Sequence, residues 1–307
     1  MNQGNIRFSI IVPTFNRPEQ LTKICLRSLA ELNYPCDQFE VIIVHDGDEK
    51  ISQLEKSFGE FFNLKILAQH HAGPAVARNT AAKLARGQFL AFTDDDCAPD
   101  TNWLKFMHHA TEIEPLAAIG GKTLNLLNEN PYSTASQMLI DYLYYSKNQA
   151  YGRAGFVASN NMVVPAEPFH RIGGFSDAFS IGGEDLEFCH RWLNYGHSMI
   201  YFPKALIYHA HELSFNSFLR QHFIYGRGAW RYRRAVAKKN RRHIKLEQFS
   251  FYVNLLAYPI TKERAKRPSS IFTLFLFICS QLAHCAGFLC EKLQDSQGME
   301  SVATTIG

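Results

Sequence analysis

Three consecutive carboxylates, Asp94-Asp95-Asp96, are the residues of this 307-residue chain best placed to do chemistry. They close the run Gly87-Gln88-Phe89-Leu90-Ala91-Phe92-Thr93, whose apolar centre reads as a strand buried on both faces. Adjacent acids at a strand's carboxyl end repel one another and bind no anionic substrate by themselves. A divalent metal holding a phosphate is the simplest positive partner. The competing reading is a solvated acidic turn closed by Pro99 and Asp100. Two further acidic groups follow the same logic. His45-Asp46-Gly47-Asp48 ends another apolar run, and Glu184-Asp185 follows the paired glycines Gly182-Gly183. A helix opening at Glu184 gives these last acids a purely structural account, since carboxylates suit the positive end of a helix dipole.

The elements that must position these groups can be read from apolar spacing. Phe8 to Pro13 is a β-rich run ended by proline, and Pro18, after the loop Thr14-Phe15-Asn16-Arg17, suits a first helical turn. Glu19 to Leu32 has helical spacing, Phe39 to Val44 reads as a second buried strand, and Leu64 to Leu67 as a third. Gly73-Pro74 opens a small-residue helix through Ala85 that Gly87 stops. Strands alternating with helices predict a parallel sheet with helices on both faces, and ligands in such sheets bind beyond the strands' carboxyl ends. Thr14, Asn16, Asp46 and Asp94 to Asp96 therefore converge on one rim for topological reasons alone. No GxGxxG follows the first strand and no Walker A pattern occurs, which argues against a dinucleotide oxidoreductase and a P-loop enzyme.

Beyond Leu116 the pattern is weaker. Tyr132 to Tyr145 reads as a helix, and Val157 to Pro165 holds Asn160-Asn161 before an apolar strand. Ala205 to His211 reads as a closing strand with His209 and His211 on one face. Each polar candidate has a plain alternative: a core histidine for His209, a helix-surface cation for Arg78, a turn for Asn160 and Asn161, and simple core for Trp192.

A hydrophobic content of 46% with 20% charge is that of a globular chain with a sizeable core, long enough for one large α/β domain or two domains. Seven scattered cysteines without a CxxC exclude a zinc ribbon and argue against a disulfide framework, so reduced cytoplasmic thiols are expected. The opening MNQGNIRFSIIVP enters a strand almost at once, and no secretion signal is expected.

The ordered motifs resemble the family 2 glycosyltransferases with the GT-A nucleotide-sugar fold. Ser9-Ile10-Ile11-Val12-Pro13-Thr14-Phe15-Asn16-Arg17 is similar to that family's first strand and loop, and Val44-His45-Asp46-Gly47 to its second-strand ending. His45 stands where the family commonly has an acid. Gly73-Pro74-Ala75-Val76-Ala77-Arg78-Asn79 resembles its Gly-x-x-x-Ala-Arg-Asn helix start, and Asp94-Asp95-Asp96 contains its Asp-x-Asp metal motif. Gly174-Phe175, then Gly183-Glu184-Asp185 and Arg191, resemble its acceptor-side motif. The resemblance runs from about Ile6 to His211, with five motifs in order. It implies a Rossmann-like, mostly parallel sheet flanked by helices. Pro13, Thr14, Asn16, Arg17, Asp46, Arg78, Asp94 and Asp95 would surround the nucleotide sugar, with Thr14 and Asp46 near the base. Asp96, Asp94 and His209 would hold Mn²⁺ or Mg²⁺. Asp185 would be the general base, with Glu184 beside it orienting the acceptor. The implied reaction is inverting, metal-dependent transfer from a nucleoside diphosphate sugar to a hydroxyl, in cell-surface glycan assembly. A catalytically inactive nucleotide-sugar-binding or membrane-associated protein is the alternative.

Residues 1–212 are expected to form the transferase domain and 213–307 a helical extension, basic then apolar. Between Leu213 and Leu246 stand ten Lys or Arg and no acid. Ile271 to Cys290 then carries no charged residue over twenty positions, near the length of one bilayer core. Thr273, Ser280, Gln281 and His284 fall on one face, which suits an interfacial or packed helix as well as a spanning one. Either way the basic run would attract an anionic membrane surface, about 1 kcal/mol per cation. The expected place is the cytoplasmic face of a membrane. The expected partners are a nucleotide-sugar donor and a glycan or lipid-linked acceptor, with no nucleic acid. A nucleic-acid module would rest on the basic run alone. A nucleotidyltransferase would want a Gly-rich Arg/Lys loop where Pro13-Thr14-Phe15-Asn16 stands.

Overall fold

The computed structural model describes residues 6–47, 57–179, 182–240, 247–262 and 270–306. Asp48, Ile181 and the end of the basic run (241–246) lie outside the described residues. Two compact units emerge, one of Met1–Leu126, Tyr144–Ser180 and Asp185–His211, the other of Leu127–Leu143, Ile181–Glu184 and Glu212–Gly307.

In the first unit, β1 (Phe8–Thr14) leads into α1, made of the consecutive helical segments Pro18–Gln20, Leu21–Leu26 and Arg27–Ala30, the middle one a wide π turn. Then come β2 (Phe39–Asp46), β3 (Asn63–Gln69), α2 (Pro74–Leu84), β4 (Phe89–Phe92), β5 (Cys97–Pro99), α3 (Trp103–Ile113) and β6 (Ala118–Asn125). Helix α4 (Pro131–Lys147) starts in the second unit and ends in the first. β7 (Gly152–Arg153), β8 (Met162–Pro165), α5 (Ala166–Arg171), α6 (Glu184–Asn194) and β9 (Met199–His209) complete the unit, save for Glu184 itself, which groups with the second.

Among the described residues the sheet has nine strands in the order β3-β2-β1-β4-β8-β6-β9-β5, with β7 on β9. The strands from β3 to β4 are parallel, as the alternation predicts. Past β4 the direction reverses: β8 is antiparallel to β4 and to β6, and β5 is antiparallel to β9, while β6 and β9 are parallel. Every residue of β1, β2 and β4 is buried, which is why these segments read as unbroken apolar runs rather than alternating ones. Phe8, Ile10 and Val12 of β1 pack with Leu21, Cys25 and Leu29 of α1 and with Trp103, Leu104 and Met107 of α3. α2 lies on β1 and β2 through Ala75, Ala77, Ala81 and Ala82, small enough to bring its backbone close to the sheet.

The structure adds what the spacing did not reveal. The closing strand begins at Met199 rather than Ala205, and β5, α3 and β6 fill the stretch from Cys97 to Asn125. The amino end of β2 also holds Glu40, whose side chain is 0% exposed. Its carboxylate accepts from the Ser9 hydroxyl at 2.7 Å, the Arg86 backbone N–H at 2.7 Å and Arg86 Nε at 3.0 Å, and pairs with Lys65 Nζ at 3.0 Å. All seven cysteines are free thiols.

The second unit is helical. α7 (Phe215–Asn240), α8 (Phe249–Lys262) and α9 (Ser270–Ile306) share a core with the start of α4, built from Met138, Tyr142, Phe218, Leu255, Leu276 and Phe277. α7 and α9 run side by side in the same direction, Phe215 against Phe275 and Trp230 against Phe288. The basic run is partly neutralised here: Glu291 pairs with Arg227 and Arg231, and Asp295 with Arg234.

Candidate active site

Strand register assembles the acidic cluster. β1 and β4 run in parallel with Ile11 opposite Phe92, and the Thr93 N–H extends the ladder to the Ile11 carbonyl at 3.1 Å. The two chain ends therefore leave the sheet side by side, and the Thr14 hydroxyl donates to Asp95 Oδ2 at 2.7 Å. Arg17, in the loop after β1, reaches back with Nη1 to Asp96 Oδ2 at 2.9 Å and Asp95 Oδ1 at 3.4 Å. On the other side β5 pairs with β9 so that Cys97 stands opposite His209, and the Ala210 N–H donates to the Asp96 carbonyl at 2.8 Å. That pairing sets His209 Nε2 3.1 Å from Asp96 Oδ1. His211 stacks on His209 with ring centroids 4.9 Å apart.

The three neighbouring acids have unlike surroundings. Burial would raise the Asp96 carboxyl, but the charge and hydrogen bond of His209, with Arg17, hold it down to about 2. Asp95 is pushed up to about 7 by burial and by the charge of Asp96, which Thr14 and Arg17 only partly offset. Asp94 is 29% exposed and accepts from Arg78 Nη2 at 2.7 Å. The Arg78 guanidinium also lies over the Phe175 ring, 5.6 Å from its centroid. Burial would lower His209, yet the Asp96 charge raises it, while His211 is lowered to about 4 by burial and by His209. These shifts describe an Asp96–His209 ion pair; with the imidazole neutral, the same two groups, 3.1 Å apart, would offer a divalent cation one oxygen and one nitrogen donor. Cys97 completes a group whose ligand atoms lie within 4.8 Å of one another. Burial and the charge of Asp96 push its thiol well above the usual range, so it stays protonated and is a poor ligand for a hard ion.

Asp46, at the end of β2, has a different set of partners. Its carboxylate accepts from the backbone N–H of Ala72 and Gly73 and from Gln69 Nε2, all at 2.8 Å, and lies 2.9 Å from His71 Nδ1. Asp46 therefore pins the loop entering α2, where Gly73 takes a φ of 95°. His71 in turn stacks on Phe15 at 4.2 Å, beside Asn16, a non-glycine residue at φ 52°. Pro13 is buried within β1.

Glu184 and Asp185 open α6, and the charge of Asp185 contributes to the raised pKa values of Tyr144 and Cys189, for which burial is the main cause. Arg191, further along the helix, is a strut: it holds Glu187 through two bonds of 2.7 Å and donates to the carbonyls of Ile172 and Gly174. Asn161 is also structural, accepting from Trp103 Nε1 at 2.9 Å and donating to the Lys122 and Ala205 carbonyls. Trp192 is core. A groove of about 500 Å³ lined by Asn79, Lys83, His170, Asp177 and Arg191 lies along α2 and does not include the three aspartates. Sequence reasoning singled out neither Cys97 nor the Phe15–His71 stack as a pair. The stack carries no local signal, because the two residues lie 56 positions apart.

Residues 9–173 match the family described as glycosyl transferase family 2, and residues 145–213 match the N-terminal domain of galactosyltransferase. The glycosyltransferase AglE of Haloferax volcanii is 24% identical over 229 residues, covering 72% of each chain. The poly(ribitol-phosphate) β-N-acetylglucosaminyltransferase TarS of Staphylococcus aureus is 37% identical over 94 residues, 30% of this chain and 16% of that one. Among solved structures, the mannosyltransferase PcManGT of Pyrobaculum calidifontis, in complex with GDP-Man and Mn²⁺, shares the fold with a TM-score of 0.59 at 18% identity over 97% of this chain and 80% of that one. With residues 9–173, more than half its length, matched to the family, this chain belongs to glycosyl transferase family 2 and is a glycosyltransferase of GT-A fold.

Proposed function

We propose that this enzyme transfers a sugar, with inversion, from a nucleoside diphosphate donor to a hydroxyl acceptor, and that residues 1–212 form the catalytic domain. The observation carrying this reading is the meeting of Asp96 and His209 at the strand ends, 3.1 Å apart, beside Arg17, Thr14 and Asp95. Asp96 and His209, with Asp94 beside them, would hold Mn²⁺ or Mg²⁺. The bound cation supplies Lewis-acid neutralisation of the departing diphosphate. Arg17 and Arg78 add positive charge along the same rim, and Arg78 orients Asp94. Pro13, Thr14, Asn16 and Asp46 shape the nucleotide end, Asp46 by fixing the loop that carries His71. Asp95 orients Thr14 and Arg17.

Asp185 takes the proton from the acceptor hydroxyl as the sugar's anomeric carbon leaves the diphosphate, and Glu184 orients the acceptor. One base with no covalent intermediate gives direct displacement and inversion, with the base contributing roughly 10²–10⁴-fold. PcManGT is complexed with GDP-Man and Mn²⁺, and TarS is named for action on poly(ribitol-phosphate), both in keeping with a nucleotide-sugar donor and a glycan or lipid-linked acceptor. The basic and apolar helices of the second unit favour work at the cytoplasmic face of a membrane, in cell-surface glycan assembly. The test is a panel of nucleotide sugars read by thermal shift with and without Mn²⁺, then by transfer or hydrolysis. Stabilisation by one donor that requires the metal and disappears in Asp96→Asn supports the reading. A panel that shifts nothing in either condition overturns it.

A further inference from the structure

α9 has two unlike faces. Toward α7 it presents Ser280, fully buried, and Glu291, held by Arg227 and Arg231 at 2.5 Å each. The two backbones touch. A Cβ on Gly226 would stand 2.0 Å from the His284 carbonyl oxygen, and one on Gly287 1.9 Å from that of Phe223. The polar stripe that includes Ser280 and His284 is thus covered by a neighbouring helix. The opposite face is apolar and open. Ile271, Ile278, Leu282, Leu289 and Leu293 follow one another at helical spacing, and Ile271, Leu282 and Leu293 are 80%, 67% and 63% exposed. The stripe runs about 33 Å along the axis at roughly 1.5 Å per residue. An exposed apolar surface of that length marks a binding face.

Three occupants compete. α9 is long and apolar enough to cross a bilayer. Crossing would drag α7 with it, because the pair is locked along its length, and α7 carries Arg220, Arg227, Arg231, Arg233, Arg234 and Lys238. Ionised side chains in hydrocarbon are costly, so this helix pair is a poor spanning unit. A second copy docking stripe to stripe would form a helical seam, and water-soluble seams are flanked by charged residues. Ile271 to Cys290 has no Lys, Arg, Asp or Glu at any position, flanks included. A lipid interface suits both observations, with acyl chains for the stripe and an anionic surface for the net positive charge of α7, which sits behind α9 and out of the hydrocarbon.

We infer that α9 lies in the plane of an anionic bilayer surface, its apolar stripe toward the acyl chains and α7 behind it on the side away from the bilayer, and does not cross. This rests on the membrane association proposed above and adds the orientation of the helix. The experiment uses the full chain with vesicles of phosphatidylcholine, with and without phosphatidylglycerol. Binding is expected to be stronger with the anionic lipid and to fall roughly tenfold in Leu282→Glu and Leu289→Glu, whose sites are exposed and leave the fold intact. The orientation is read separately, in vesicles reconstituted from detergent, with an impermeant thiol reagent and peptide mapping. In-plane binding keeps Cys36 and an introduced K292C on the same side, so both are labelled or both protected. Labelling from opposite sides would overturn the in-plane geometry in favour of a crossing helix. Failure to bind either vesicle, with dimers in solution that Leu282→Glu dissociates, would overturn the membrane reading itself and assign the stripe to a second copy. Neither outcome touches the transferase assignment, whose readout is turnover.

Discussion

The amino and carboxyl ends of the same central strands both bury carboxylates, and the two ends treat them differently. At the amino end, Glu40 is fully enclosed and matched by fixed partners: Ser9, Arg86 and Lys65. Burial alone would raise its carboxyl, but the Arg86 N–H and side chain, Ser9 and Lys65 together hold it below the usual range. At the carboxyl end, three aspartates share Arg17, Arg78 and His209, and the neighbours Asp95 and Asp96 are driven apart to about 7 and about 2. Adjacent carboxyls separated in this way are a recurring feature of sites built for chemistry, in keeping with the cation site proposed above. A site that satisfies one acid completely has been arranged to hold strands together. Burial therefore does not distinguish function from structure here. The two ends differ instead in their partners, fixed and matched around Glu40, shared among three acids around Asp96.

The largest effect expected from breaking this contrast is at Asp96. Asp96→Asn should lower transfer by roughly 10³-fold, equivalent to about 4 kcal/mol of transition-state stabilisation, and should abolish Mn²⁺-dependent donor binding in a thermal-shift titration. Chelation of divalent cations from the parent enzyme should give the same donor-blind state. An Asp96→Asn enzyme that kept full metal-dependent turnover would remove Asp96 from the cation site. Next comes Asp185→Asn, expected to lose at least roughly 10²-fold in kcat with donor affinity unchanged, the separation that marks a base rather than a binding group.

At the opposite end the sign reverses. Glu40→Gln should leave activity per folded molecule intact and destabilise by about 1–3 kcal/mol, seen as a lower Tm. Because the folded pKa of Glu40 is depressed, its contribution is fully present above the unfolded value of about 4.3 and is lost as pH falls through the folded value. The parent should therefore lose stability on acidification more steeply than Glu40→Gln, and matching acid limbs in denaturant titrations would contradict this account. Smallest is Lys65→Met: Lys65 is 35% exposed, so losing its pair should cost under about 1 kcal/mol, and a larger change would mean the Glu40 cluster depends on all its members.

Much of the acidic rim was legible in the chain. Thr14, Asp46 and Asp94 to Asp96 each end an apolar run, and in an alternating α/β pattern the ends of such runs share one edge. The helix from Trp103 was missed, although Trp103, Leu104, Met107 and Ala110 repeat at helical spacing and are all buried, so its period was there to be read. β5 was not legible, because three residues are too few for a period to show. The basic run read as ten unpaired cations, yet Arg227, Arg231 and Arg234 meet acids about 60 residues further on. Charge pairing at that separation leaves no local pattern.

The sequence by itself determined the alternation of strands and helices as far as β4, the rim where polar residues gather and the family to which the motifs belong, because hydrophobic period and strand-end chemistry are local properties. Only the tertiary structure decided that His209 stands against Asp96, through the antiparallel register of β5 with β9. It also decided that Asp46 is committed to the loop before α2, and that the polar stripe of α9 turns inward while its apolar stripe faces out. Those outcomes depend on which distant segments pack together, and packing between distant segments is the part of the information that no single stretch of chain contains.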